Sequence, residues 1–425
     1  MPPTPRPVRP ARLLPWLAVL LVALPLAAHA ADAFDPAAAT AAYLARIPAE
    51  ARARSDAYFE GGYWLILWNL FVSVGLAWFL LGTGLSGKLR DFAERRFQRR
   101  WLQVATYALG YILLMTLLEL PWNFYTGFLR EHQYHMSNLT TAGWFGEQLK
   151  GLIVGLILTT PVLLLLYAAL RRWPTRWWSR AALVTPVLIL LLLVIAPVFI
   201  SPVFNTYKPL PDSPLRDSIL SLARANGIPA DNVYEFDASR QTKRISANVS
   251  GALGSIRISL NDNLLKRSSP AEIRAVMGHE MGHYVLNHVY KLTIYHSLVF
   301  ASAFAFTAWF FGAAFRRRGA AWGVRGIDDP AGLPILAAVL AVFFFLVTPV
   351  SHSITRSTES EADIFGLNAA REPDGFSEVA LKLSEYRKLA PGPWEEIVFF
   401  DHPSGHNRIL MSMRWKAEHP ADPGK

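Results

Sequence analysis

The chain has 425 residues, of which 52% are hydrophobic and 14 are Trp, and its mean hydropathy is +0.24. This composition is too apolar for an ordinary soluble enzyme of this length and predicts a polytopic membrane protein. The formal net charge of +10 is concentrated in loops between apolar segments, so it gives no reason to expect a nucleic-acid partner. The lack of Cys excludes thiolate metal ligands and cysteine catalysis.

The amino-terminal segment, residues 1–30, has two interpretations. Three arginines precede an apolar stretch, residues 13–26, that is followed by Ala28-His29-Ala30, a pattern typical of a cleaved secretory signal. The alternative is an uncleaved first membrane helix. Both interpretations place residue 31 on the external side of the membrane.

Six further apolar segments have the length of about 20 residues that a helix needs to cross a bilayer. They lie near residues 62–82, 102–120, 151–170, 181–202, 292–313 and 331–350. The first four belong to an amino-terminal membrane region, residues 31–202. The last two interrupt a second domain, residues 203–425.

Basic residues cluster in three of the connecting loops, at 88–100, 171–180 and 316–325. Cytoplasmic loops carry an excess of Lys and Arg, so we expect all three on the cytoplasmic side. Counting spans from these loops places residues 203–291 and the tail from about 351 together on the external face.

Residues 255–260 alternate apolar and polar side chains like a half-buried strand, with glycines before the segment and Asn261-Asp262-Asn263 after it. We predict an edge strand of a small β-hairpin or sheet that holds an extended peptide substrate through main-chain hydrogen bonds. Ile256 and Ile258 are the expected substrate contacts. A hairpin with only a structural role is an equally good interpretation of these residues.

The most informative motif is His279-Glu280-Met281-Gly282-His283. Ser269-Pro270-Ala271-Glu272 predicts a capping box that begins a helix before this motif, so the two histidines lie on one helix face and can bind one Zn²⁺. Glu280 then lies within reach of a metal-bound water and is the candidate general base. The alternative is a helix with two histidines and no metal.

A catalytic zinc with two histidines needs a third protein ligand, and the segment 357–363 offers one. Glu359 and Asp363 are four residues apart, so one carboxylate can bind the metal while the other accepts a hydrogen bond from a ligating imidazole. Glu361 points elsewhere. Without the upstream histidines, this segment would be interpreted as an ordinary charged helix face.

These two motifs, followed by His402-Pro403 and by Arg408 six residues after the His, resemble the integral-membrane CAAX prenyl endopeptidase family of zinc metalloproteases. The resemblance implies a role for each motif residue. His279, His283 and Glu359 would bind zinc. Glu280 would be the general base and Asp363 would orient a ligand. His402 and Arg408 would lie near the oxyanion or support the site.

The resemblance covers roughly residues 60–415, and it favours an uncleaved membrane helix at the amino terminus. Glu119–Tyr125 and residues 131–140 are similar to the family's amino-terminal membrane region. The family's Asn-Ala-aromatic segment, which is thought to line the substrate edge, corresponds to Ser246–Gly251, where the Asn is displaced to position 248. Asn248 is therefore the third expected substrate contact.

We predict a mainly α, polytopic helical membrane protein with a gluzincin-like zinc protease domain. Its predicted function is that of a zinc-dependent endopeptidase with one Zn²⁺ per chain, acting on a peptide or membrane-protein substrate at the lipid bilayer. A bacterial inner-membrane location with the zinc domain facing the periplasm agrees with the basic loops. Alternatives are a quality-control protease for membrane proteins and a non-catalytic, zinc-stabilised membrane scaffold. His288, His296 and His352 are interpreted as structural or interfacial.

Overall fold

The computed structural model describes residues 34–251 and 256–420. The predicted signal or first membrane helix, residues 1–30, lies outside the described residues. The described part is mainly helical with one small mixed sheet, which confirms the predicted fold class. In chain order the helices are α1 (Pro36–Ala45), α2 (Ala49–Gly82), α3 (Leu85–Arg96), α4 (Arg100–Phe124), α5 (Thr141–Arg172), α6 (Trp177–Ile195), α7 (Pro214–Ala225), α8 (Asp262–Arg267), α9 (Pro270–Val285), α10 (His288–Arg318), α11 (Leu333–Ala370), α12 (Pro373–Leu383), α13 (Pro393–Phe399) and α14 (Gly405–Glu418).

Six of these helices are long and apolar enough to cross a membrane, namely α2, α4, α5, α6, α10 and α11. π-helical turns at Tyr125–Leu129 and Ala196–Ile200 continue α4 and α6 to Gln133 and Phe204. The second turn contains Pro197, which lacks the N–H that a regular α-helical hydrogen bond needs.

Helix α11 connects the membrane region with the soluble domain. It is one continuous helix of 38 residues, and at 1.5 Å per residue it is about 57 Å long. Its first half contains all but the first two residues of the apolar segment 331–350, and its second half carries Glu359 and Asp363. The position of these carboxylates is therefore rigidly tied to a membrane helix.

The three basic loops meet at one end of the helix bundle. Buried side chains from six membrane helices pack together there, namely Leu81, Val104, Leu170, Trp177, Phe311 and Leu333. Two of the loops also contact each other directly, because Arg90, which is only 6% exposed, donates a hydrogen bond to the Gly323 carbonyl at 2.8 Å. Arg90 also forms an ion pair with Asp329 at 2.6 Å. The opposite helix ends lead to the sheet and to α9.

The sheet contains β1 (Tyr207–Pro209), β2 (Val233–Phe236), β3 (Ala247–Ser250) and β4 (Arg257–Asn261) in the order β1-β2-β4-β3. Strands β2 and β4 pair in parallel, and the other two pairs are antiparallel. The prediction of an edge strand at residues 255–260 was wrong, because β4 is hydrogen-bonded on both sides. The edge position belongs to β3.

The sheet packs against α7 and α9 through a hydrophobic core. Ile258 and Leu260 from β4, Ile219 from α7, and Met277 and Met281 from α9 are all essentially inaccessible to solvent. The apolar side chains that alternate along β4 are therefore those that pack in this core. The same contacts hold one face of α9 against the sheet.

Candidate metal centre

Helix α9 begins as its sequence predicts. The Ser269 hydroxyl accepts a hydrogen bond from the backbone N–H of Glu272, and Pro270 occupies the first helical position. The predicted capping side chain is therefore confirmed. The His279 and His283 rings lie one turn apart on the same face of the helix, with their centroids 4.8 Å apart.

Three glycines allow α9 and α11 to cross at backbone contact. A Cβ atom added to Gly278 would lie 2.9 Å from the Gly366 carbonyl oxygen, and one added to Gly366 would lie 2.7 Å from the His279 nitrogen. At Gly282 the neighbour is Ala362, whose Cα atom would be 3.1 Å away. Small residues at this spacing bring two helices together, and here they bring the histidines of α9 next to the carboxylates of α11.

His279, His283 and Glu359 form a compact group, because each offers one ligand atom and these atoms lie within 4.8 Å of one another. His279 Nε2 is 3.2 Å from Glu359 Oε2, and His283 Nε2 is 3.5 Å from Glu359 Oε1. The two Nε2 atoms are 3.2 Å apart. The structure thus brings together the three residues that the sequence predicts as metal ligands.

The protonation of His279 follows from its buried partners. Its Nδ1 lies 2.7 Å from Asp363 Oδ1, and Asp363 is fully buried. Arg408 donates two hydrogen bonds to the same carboxylate, so Asp363 is held as an anion that can only accept a proton from the ring. Burial opposes protonation of His279, but the contacts with Asp363 and Glu359 outweigh it and raise the pKa of His279 to about 10. Nδ1 therefore carries a proton toward Asp363, and a metal ion would take the place of a proton on Nε2.

A second chain of contacts fixes His283. Lys291 donates to the Glu361 carboxylate, which lies 3.1 Å from Nε2 of the buried His288, and Nδ1 of His288 is 2.9 Å from Nδ1 of His283. Because a carboxylate accepts, His288 donates to Glu361 through Nε2 and accepts through Nδ1. His283 then donates from Nδ1, and its Nε2 presents a lone pair.

This second chain was missed by the sequence analysis, which interpreted His288 as structural and set Glu361 aside. The available signal is Asn287, which lies between α9 and α10, directly before His288, and has a positive φ of 56°. Asn adopts this left-handed conformation more readily than most residues, and the sharp turn directs His288 back onto His283.

The convergence of lone pairs fits a bound cation. Two imidazole Nε2 atoms and the Glu359 carboxylate point at the same small volume, and Glu359 Oε2 is buried without a hydrogen-bond partner. Such an arrangement is electrostatically unfavourable unless a positive charge lies between the atoms. Two imidazoles and one carboxylate are a typical ligand set for catalytic zinc.

Glu280 lies beside this group on the wall of a cavity of about 230 Å³. Burial raises the pKa of the Glu280 carboxyl above its ordinary value, and the neighbouring His279 and His283 oppose this effect. A raised pKa increases the affinity of the carboxylate for a proton, which is what a general base needs. The other lining residues are Ile245, Ser246, Ala247, Leu264, Ala275, Val276, His279, Phe376, Val379, Leu383, Tyr386, Arg387, His402 and Arg408.

His402 and Arg408 also reach the site, as the sequence predicts, and they do so by different contacts. His402 Nε2 is 3.3 Å from Glu359 Oε2, and its Nδ1 is 2.8 Å from the Asp401 carboxylate. Arg408 pairs with Asp363 and does not contact the three ligand atoms within ion-pair distance. Arg408 therefore acts on the site through Asp363, whereas His402 faces it directly.

The three predicted substrate contacts have different positions. Ile258 is completely buried in the core between the sheet and α9, so its side chain is not available to a substrate, and this prediction was wrong. Ile256 is partly buried against the same core. Asn248 lies in β3, the edge strand, where a peptide can be added.

The register of β3 shows which main-chain groups are free at the edge. The Asn261 N–H donates a hydrogen bond to the Ser246 carbonyl, so Ser246 and Asn261 form a hydrogen-bonded pair. Such pairs recur every second residue in an antiparallel ladder, and the next one is therefore Asn248 with Ser259. The N–H and C=O groups of Ala247 and Val249 therefore point away from β4. Among the described residues, no other strand pairs with this edge.

Two family models match the chain. Peptidase family M48 matches residues 209–414, and the family described as CAAX prenyl protease N-terminal, five membrane helices, matches residues 36–206. The first match spans strands β2, β3 and β4, the metal-ligand group and Arg408. The second spans the four amino-terminal membrane helices.

Individual proteins give the same picture. The chain is 32% identical over 347 residues to the Bacillus subtilis protein named Uncharacterized metalloprotease YhfN, a match that covers 80% of this chain and 81% of that protein. It is 34% identical over 186 residues to CAAX prenyl protease 1 of Saccharomyces cerevisiae, which covers 44% and 41% of the two chains. The fold is similar to that in the crystal structure of S. mikatae Ste24p, with a TM-score of 0.70 and 22% identity over 86% of this chain and 89% of that chain.

Proposed function

Because the chain belongs to peptidase family M48 and is an integral-membrane metalloprotease, we propose that it hydrolyses peptide bonds with a single zinc ion held by His279, His283 and Glu359. One observation carries the assignment of the ligands, namely the convergence of their three ligand atoms within 4.8 Å beside Glu280 on the wall of a cavity. Neither a non-catalytic scaffold nor a dedicated quality-control protease is favoured by the comparisons.

Each residue around the metal group has a separate role in hydrolysis. Zinc, when bound, supplies a Lewis acid that polarises the scissile carbonyl and makes water more acidic. Glu280 accepts the proton of the attacking water and transfers it to the nitrogen of the leaving amide. The Asp401 carboxylate accepts a hydrogen bond from Nδ1 of His402, which orients the ring so that Nε2 faces the metal group, where the oxyanion forms.

The substrate strand lies along β3. Ile245, Ser246 and Ala247 line the same cavity as Glu280, so a peptide paired with the outer edge of β3 extends past the general base. Apolar side chains such as Val276, Phe376 and Leu383 form much of the remaining wall, and they suit apolar side chains near the scissile bond. The substrate is therefore an extended peptide or an unfolded segment of a membrane protein.

A proline at position 249 is expected to raise the KM for peptide cleavage roughly 5- to 10-fold, because it removes one outward-facing N–H from the substrate edge. Zinc content should stay close to that of the wild type, and the loss of the partly buried Val249 side chain should lower thermal stability only slightly. The matched control is Asn248→Pro, which removes an N–H that faces β4 and should lower the free energy of unfolding by about 1–3 kcal/mol. Kinetics with a fluorogenic peptide and thermal unfolding measure both effects. An unchanged KM in Val249→Pro would show that β3 is not the substrate edge.

The orientation proposed for the membrane is that the zinc group faces the periplasm of a bacterial cell. Support comes from the packing of all three basic loops at the helix ends opposite α9, with Leu170 and Leu333 in one cluster and Arg90 paired with Asp329. Basic loops of this kind remain in the cytoplasm during insertion. The metal group then lies on the external side.

Metal removal tests the proposed function directly. We expect the detergent-purified protein to contain one zinc per chain by elemental mass spectrometry, and chelation to abolish cleavage of unstructured peptides until Zn²⁺ is restored. Chelation should also lower the midpoint of thermal unfolding, because the lone pairs of His279, His283 and Glu359 then face one another without a cation. Full cleavage by metal-free protein would contradict the proposal.

A further inference from the structure

Arg387 lies in the segment between α12 and α13. Its side chain lines the cavity that contains His279 and Glu280. It also lines a second cavity of about 430 Å³, which reaches Tyr58 and Tyr63 on α2. Arg387 therefore stands where the cavity beside the metal group adjoins a wider space next to a membrane helix.

The guanidinium of Arg387 has no partner among the described residues. It donates no hydrogen bond and forms no ion pair, although an arginine offers five N–H donors. The nearest acidic groups are engaged elsewhere, since Asp401 accepts from His402, and Glu359 belongs to the metal group. Arg408, which lines the same cavity, is by contrast fully paired with Asp363.

Arg387 is only partly buried, and its surroundings affect the titration of its guanidinium. Burial lowers the pKa of Arg387 below its ordinary value, and Asp401 and Glu359 only partly oppose this effect. An arginine remains charged at neutral pH even with such a shift. A partly desolvated positive charge without a partner on the wall of a substrate cavity favours an anionic group of the ligand.

We propose that Arg387 is a specificity-determining residue that binds a carboxylate of the peptide substrate. The inference rests on the proposed function, because the ligand is the peptide that pairs with β3 and extends past Glu280. A planar guanidinium matches a carboxylate with two parallel hydrogen bonds, which explains why an arginine stands there. Apolar side chains such as Val379 and Leu383 line the same cavity, and a less polar surrounding strengthens this contact.

Two groups of a peptide carry this chemistry, namely its terminal carboxylate and the side chain of Asp or Glu. A terminal carboxylate would fix the distance between the cut and the end of the peptide. A side-chain carboxylate would instead fix an acidic residue at one position relative to the cut. The position of the cut in many sequences therefore distinguishes the two sources.

The test uses two libraries of short random-sequence peptides, one with free terminal carboxylates and one with terminal amides. Cleavage sites and rates are measured by mass spectrometry for the detergent-purified, zinc-loaded wild type, Arg387→Gln, Arg387→Lys and Arg414→Gln. We expect Arg387→Gln to lower kcat/KM for carboxylate-bearing peptides about 10- to 100-fold, mainly through KM, with little loss for peptides that lack the carboxylate. Arg387→Lys should restore part of the loss because it keeps the charge.

Arg414 is a matched control because its side chain is exposed on α14 and does not line this cavity. If Arg387→Gln loses the preference for peptides with a free terminal carboxylate, Arg387 binds the terminal carboxylate. If it loses a preference for Asp or Glu at one position relative to the cut, Arg387 binds that side chain. Equal losses on all peptides, or a cleavage profile identical to that of the wild type, would overturn the inference. Zinc content and thermal unfolding show whether Arg387→Gln is folded and loaded with zinc. If it is not, the cleavage profile of Arg387→Lys decides between the outcomes instead. If the wild type shows no cleavage that depends on Glu280, the proposed function fails, and the inference fails with it.

Discussion

Replacing Glu280 with Gln is expected to lower kcat for peptide hydrolysis by roughly 100- to 10,000-fold, because proton transfer by a positioned side chain contributes a factor of this size. The amide has nearly the shape of the carboxylate and cannot accept the proton of the attacking water. His279, His283 and Glu359 remain in place, so zinc content should stay at the wild-type value. Steady-state kinetics and elemental analysis of the same preparation separate these two effects.

The same substitution also identifies natural substrates. Proteomic comparison of cells that carry the wild type or Glu280→Gln should show cleavage products that are present only with the wild type. Glu418→Gln is the matched control, because Glu418 is exposed at the end of α14 and far in sequence from the motif. A variant that lacks the Glu280 carboxylate and still cleaves at the wild-type rate would exclude this residue as the general base.

The parts of the site that lie on one helix could be predicted from the sequence. The spacing of four residues in α9 and again in α11 places side chains on one face whatever the surroundings are, so the pairs His279 with His283 and Glu359 with Asp363 followed from local geometry. The start of α9 at Pro270 was equally local, since a capping residue and a proline determine it.

The parts that depend on contacts between distant segments could not be predicted. The pairing of β4 with β2 is parallel and joins residues more than 20 positions apart, so nothing in the short segment 255–260 showed that it lies inside the sheet. Its apolar alternation was consistent with an edge strand or an interior strand. Ile258 was accordingly misplaced, whereas Asn248 lies in the strand that does form the edge.

The role of the glycines in and beside the metal motif could not be predicted from the sequence either. Gly282 lies inside the motif and Gly278 directly precedes it, yet the importance of both depends on what faces them in α11. Only the crossing of the two helices shows that there is no room for a side chain. The geometry of the metal group thus depends on residues that have no functional group.

Replacing Gly366 with Ala is expected to reduce zinc binding strongly and to lower the free energy of unfolding by about 1–3 kcal/mol, the usual cost of overpacking. The added Cβ would lie 2.7 Å from the backbone nitrogen of His279 and 3.0 Å from its Cα atom. Because both neighbours belong to a helix backbone, no side-chain rotation relieves the clash, and α9 must move away from α11. His279 then moves away from Glu359, and the ligand atoms no longer converge.

The control for this prediction is Gly146→Ala in α5, where an added Cβ atom meets nothing within 4 Å. Alanine is a better helix former than glycine by roughly 1 kcal/mol, so this variant should be at least as stable as the wild type and should keep its zinc. Competition with a chelator of known affinity measures zinc binding, and thermal unfolding with and without metal measures stability. Wild-type zinc affinity in Gly366→Ala would mean that the metal group tolerates a wider crossing. The ligand geometry would then have to be set by the loops that flank α9, and contact between the two helix backbones would not be its cause.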